Sequence, residues 1–135
     1  MSKHLARIFN NKSISLLAVI FIAVEAVPVI GTNPNPIVFA KVALWLFGSI
    51  FVWLNKDWAA FYLAGLALIY FVLDIVLPIP KLIDTLNSLS SQPGSPSLNV
   101  LFIILLSMFI EIVFLLCFIY YGSIVFQKKI KEKTN

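Results

Sequence analysis

Polar chemistry is scarce in this chain. Its 135 residues include one Cys, one His and, among ten basic residues, a single Arg. A lone Cys cannot close an intrachain disulfide. His4, set in the N-terminal arm, provides neither a His-based metal site nor a Ser-His-Asp arrangement within the hydrophobic part. The five glycines stand apart at 31, 48, 65, 94 and 122, so no glycine-rich loop cradles a phosphate. Charge is thin as well: charged residues make up 12%, about half the roughly 25% of a soluble chain. What remains is hydrocarbon, with 61% hydrophobic residues and a mean hydropathy of +1.00. A soluble domain this small could not cover its surface with so few charges, and the chain reads as an integral membrane protein.

A spanning helix needs about 20 mainly apolar residues. Four runs of suitable length stand out, at about 14–30, 36–54, 58–77 and 98–126. The first stops at the Gly31-Thr32-Asn33-Pro34-Asn35-Pro36 turn, where Asn35 suits a helix cap and Pro36 the first helical turn. The second ends at Asn55-Lys56-Asp57. Pro78 and Pro80 are expected to end the third. The fourth is roughly 43 Å long if straight and must tilt, kink or protrude. None shows the two-residue alternation of a membrane strand. The expected fold is therefore all-α: a four-helix membrane bundle in one domain, with an outer loop over 78–97 and a basic tail over 127–135.

Orientation follows from the basic residues. With four spans, Lys3, Arg7, Lys12, Lys56, Lys128, Lys129, Lys131 and Lys133 share one side, and the opposite side keeps only Lys81. The positive-inside rule then puts both termini in the cytoplasm of a multi-pass cell-membrane protein. Trp53, Trp58, Tyr62, Tyr120 and Tyr121 would lie near that interface. A basic arm followed by an apolar stretch and Val24-Glu25-Ala26 also suits a cleavable signal peptide, but apolar residues resume at Val27 and Pro28 is a poor neighbour for cleavage. Asn11-Lys12-Ser13 has the glycosylation pattern, yet falls on the cytoplasmic side. In the outer loop, Leu82, Ile83, Leu86 and Leu89 fall at helical spacing, which predicts a short amphipathic segment on the interface.

Ionisable residues inside spans are costly and mark function by default. There are four: Glu25, Lys41, Asp74 and Glu111. Counting from the run ends places Glu25, Lys41 and Asp74 about 6 to 9 Å below the outer ends of their helices. Glu25 and Lys41 are expected to face each other across a tight turn, with Asp74 as a third member of the cluster. Such a site either neutralises itself or binds a proton or cation. Glu111 falls about 20 Å from either end of its run, without another charge of this chain at its depth. Ser107 lies one turn away, and together they form a candidate proton or partner site.

Small residues mark helix contacts in membranes. Gly48 in the second span, Ala60, Ala64 and Ala67 in the third and Gly122 in the fourth are the candidates. Cys117 reads as an apolar filler. Glu25 three residues before Pro28, and Asp74 four before Pro78, hint at a repeated hairpin, although helix-ending prolines alone give the same pattern. The tail lysines Lys128, Lys129, Lys131 and Lys133 directly follow a span and are expected to meet anionic lipid rather than nucleic acid. No catalytic constellation, metal ligand set or cofactor motif is expected. Two roles remain. One is a non-enzymatic accessory or assembly subunit, whose membrane charges pair with residues of a larger complex such as an oxidoreductase or transporter. The other is a homo-oligomeric, proton- or cation-coupled small transporter that uses its intramembrane carboxylates.

Overall fold

The computed structural model describes residues 9–91 and 98–135. Lys3, His4, Arg7 and the loop over 92–97 lie outside the described residues. All regular structure among the described residues is helical, and four helices are long and apolar enough to cross a membrane. Only helices or closed barrels satisfy every backbone polar group in hydrocarbon, so a multi-pass membrane protein is the consistent reading.

Helix α1 spans Asn11–Thr32, capped by the Asn10 side chain accepting from the Ser13 N–H at 2.8 Å. It continues past Pro28. Helix α2 is Pro36–Trp53, with the Asn35 side chain accepting from the Ile37 N–H at 3.0 Å and Pro36 in the first turn. Asn55 closes the next turn with φ of 57°, a left-handed conformation that Asn tolerates better than most residues. Helix α3 is Asp57–Tyr70.

Beyond Tyr70 the structure departs from expectation. Pro78 and Pro80 do not end the third run. A π-helical segment over Phe71–Val76 leads into α4, Ile79–Ser90, with both prolines at its start. Proline has no N–H to give the carbonyl four residues back, and its ring crowds that carbonyl. Widening the turn relieves this: Leu77 N–H donates to the Val72 carbonyl, five residues back, at 3.0 Å. The amphipathic segment is thus a three-turn helix continuing from α3, with Leu82 and Leu86 half-buried and Asp84 and Thr85 exposed. The basic tail is likewise helical. Helix α5 runs unbroken over Leu98–Thr134, about 55 Å.

The helices pack as two intimate pairs, α1 with α2 and α3 with α5, joined mainly through α2 and α3; α1 and α5 touch only briefly. Small residues set the close approaches. A Cβ added at Gly122 would lie 2.6 Å from Ala64 Cβ and 3.4 Å from the Ala60 carbonyl oxygen, and one at Gly48 would lie 2.5 Å from Leu63 Cδ2. Ala60 and Ala67 are fully buried. Between α1 and α2 the buried hydroxyls of Ser15 and Ser49 each donate to the other's backbone carbonyl, at 2.8 and 2.9 Å.

At the end carrying the α2–α3 turn, polar ties close the bundle. Asn11 Nδ2 donates to Asn55 Oδ1 at 2.6 Å, and the Tyr121 hydroxyl donates to Asn11 Oδ1. Lys129 reaches Asp57 at 3.8 Å, joining α5 to the start of α3, while Lys128 pairs with Glu132 along its own helix at 3.9 Å. Lys131 and Lys133 are exposed.

Gly122→Leu overpacks the α3–α5 contact and is expected to cost about 1–3 kcal/mol, read as a lower thermal midpoint in detergent; an unchanged midpoint would show that the helices do not approach this closely. Replacing Ser15 and Ser49 by Ala, singly and together, should give a coupling of about 0.6 kcal/mol and at most roughly 1.7 in a double-mutant cycle of unfolding.

Candidate functional site

Each spanning helix contributes one aromatic ring to a common layer. Trp45 of α2, with no exposed surface, lies 4.8 Å from Phe21 of α1, 5.4 Å from Tyr70 of α3 and 5.0 Å from Phe118 of α5, centroid to centroid. The intramembrane charges sit directly beyond it. Glu25 follows Phe21 by one turn, Lys41 precedes Trp45 by one turn, Asp74 follows Tyr70 by one turn, and Glu111 precedes Phe118 by two. Residues one turn apart share a helix face, so the contact that buries the rings also turns all four charges inward.

The carboxylates of Glu25, Asp74 and Glu111 converge, with oxygen atoms from all three within 4.8 Å of one another. Lys41 Nζ lies 3.9 Å from Asp74 Oδ2 and 5.0 Å from the centre of the Tyr70 ring. Two sequence expectations change here. The recorded ion pair of Lys41 is with Asp74, not with Glu25 across the tight turn. Glu111 is not isolated at its depth but belongs to the cluster, and its Oε1 atom is buried without a hydrogen-bond partner. For Glu111 the reason is register. Depth counted from run ends assumes that α5 stops near Phe126, whereas it continues and is held at Lys129 against Asp57. Glu111 and Asp74 each lie roughly 26 Å along their antiparallel helices from that contact, hence at one level. Ser107 does not join the carboxylates. It is exposed and lines a neighbouring cleft.

Two spaces meet at the cluster. A cavity of about 290 Å³ is lined by all four charged residues together with Val29 and Val38, near the α1–α2 turn. A cleft of about 460 Å³ lies between α1 and α5, and Glu25 and Glu111 line both. Among the described residues, one ammonium faces three carboxylates within the layer. Two unit charges at such separation repel by roughly 3 to 4 kcal/mol even at an effective dielectric of about 20. Further positive charge among the carboxylates, a proton or a cation, relieves that repulsion. Oxygen donors of this kind suit protons and hard cations rather than thiophilic metals. Three carboxylates reach the six to eight oxygens that calcium takes only at its lower bound, and only if every one binds through both oxygens. Cys117 is half-buried elsewhere on α5.

Sequence reasoning missed the aromatic layer. Its signal is the one-turn spacing of ring and charge in Phe21/Glu25, Lys41/Trp45 and Tyr70/Asp74. The buried Trp45 Nε1 and Tyr70 hydroxyl, both without hydrogen-bond partners, were not candidates either. Comparison of the chain with protein-family models, with curated proteins and with solved structures returns no match.

Proposed function

We propose that this protein is a small multi-pass membrane transporter whose intramembrane carboxylates take up a proton or cation as the coupling step. One observation carries this reading: acids from three separate helical segments meet within 4.8 Å around a cavity, with one lysine to balance them. Residues that served only to neutralise one another would balance in number, and these do not.

Proton or cation exchange gives the imbalance a purpose. The acids hold a positive charge that can be traded for another, and the Lys41–Asp74 pair, with side chains 40% and 33% exposed, can part at the cavity mouth. By the positive-inside rule, Lys12, Lys56 and the lysines of α5 would mark the cytoplasmic side, with both termini there and the cavity opening outward. Those lysines would also meet anionic lipid.

An accessory role in a larger membrane complex is the second reading. It loses one premise, because Glu111 has acidic and basic neighbours within its own chain. It keeps another: Phe102, Ile103, Leu105, Leu106 and Phe109 are all largely exposed on the first half of α5. That surface suits a second copy of this chain as well as a different subunit.

Reconstituted in liposomes containing a pH-sensitive dye, the wild-type chain should dissipate an imposed proton gradient. Glu111→Gln should lower that flux at least tenfold while leaving native-gel migration unchanged. Absence of flux in the wild type, together with loss of a larger native complex on Glu111→Gln, would favour the accessory role instead.

A further inference from the structure

Glu25 and Glu111 face two spaces, and the second has a chemistry of its own. The cleft between α1 and α5 is walled by Phe21, Val24, Ile103, Leu106, Ile110 and Phe114, with Ser107 adding one hydroxyl. Among the described residues the two carboxylates are its only charged groups. It opens sideways: Val24 is 62% exposed and Ile103 63%, on facing helices whose backbones approach closely at few places. In a bilayer that direction leads into hydrocarbon. Of the two, Glu111 has its Oε1 atom buried without a hydrogen-bond partner, a state that buried carboxylate oxygens rarely keep.

Each class of occupant meets these walls differently. A hydrated metal ion would shed its water against hydrocarbon and a single hydroxyl. A lipid tail would fill the cleft but leave the Glu111 oxygen without a donor. An amine with an apolar body satisfies both ends: its ammonium N–H groups meet the carboxylates in charge-assisted hydrogen bonds, and its hydrocarbon lies against Phe21 and Phe114. Such a molecule also concentrates in the bilayer from which the cleft opens.

We infer that the α1–α5 cleft binds a lipophilic ammonium ion, which enters laterally and pairs with Glu25 and Glu111. The inference rests on the cation-uptake reading of the acid cluster and names its cargo class. Binding of the ammonium replaces a proton shared by the acids, which is released.

The test uses the full chain in lipid nanodiscs, with radiolabelled hexylammonium as the probe and hexanol as its neutral counterpart, each corrected for binding to empty discs. Wild type should bind hexylammonium saturably, at one per chain, and hexanol not at all. Ser107→Phe fills the cleft while leaving every carboxylate in place, and should weaken hexylammonium at least tenfold with proton flux in liposomes retained. Ile103→Trp, on the same wall, repeats the test should the first variant fold poorly. Glu111→Gln should lose both binding and flux.

Hexylammonium binding no stronger than hexanol, or binding untouched by both cleft fillers, overturns the inference; retained proton flux would then leave the cation reading standing. Absence of flux and of amine binding together overturns both.

Discussion

The packing of Trp45 against one ring from each of the other three spanning helices is the contact on which the rest depends. In hydrocarbon there is no hydrophobic drive between helices, since lipid tails are as apolar as leucine. What remains is shape, and a buried indole among Phe21, Tyr70 and Phe118 provides the largest shape to fit. Each ring fixes the rotation of its helix, and helical periodicity then fixes what stands one turn beyond. The charged layer is therefore a consequence of the aromatic one. Displacing any of these helices by one residue would rotate its charge by about 100° and carry it away from the cavity.

The bundle is tied at one end and open at the other. Gly122 against Ala64, the Ser15–Ser49 exchange, the Asn11, Asn55 and Tyr121 contacts and the Asp57–Lys129 pair all lie on the side of the α2–α3 turn. Beyond the aromatic layer the close contacts thin out, and two cavities take their place. This division has a physical origin. Small residues and neutral hydrogen bonds draw helices together, whereas three carboxylates converging on one point push them apart. Segments with few buried contacts open at the least free-energy cost, so the exchange proposed above would draw its motion from the charged end.

The prolines take part in this arrangement. Pro78 does not stop its helix but forces the π-helical turn over Phe71–Val76 that holds Asp74. A π turn carries an extra residue per turn and re-aims the side chains after it, and such turns recur at functional sites. Pro28 stands three residues after Glu25 and is carried within α1 without a break. Its missing N–H leaves the Val24 carbonyl without its usual helical donor. Both prolines thus loosen the backbone beside a carboxylate while the helix persists.

Much of the architecture was written in local sequence. Apolar runs bounded by charge demand helices, because lipid offers no other partner for backbone groups, and Asn35 with Pro36 marks the start of α2 through chemistry confined to a few residues. The small-residue stripe of α3 was equally visible, because close approach requires the absence of side chains. What tertiary structure alone decided is register. Composition states that α5 exceeds the bilayer but not where along its length it sits, since a long apolar helix can slide at little cost until something holds it. Gly122 against Ala64 and Lys129 against Asp57 hold it, and that position, not any local feature of its own run, brings Glu111 to Glu25 and Asp74.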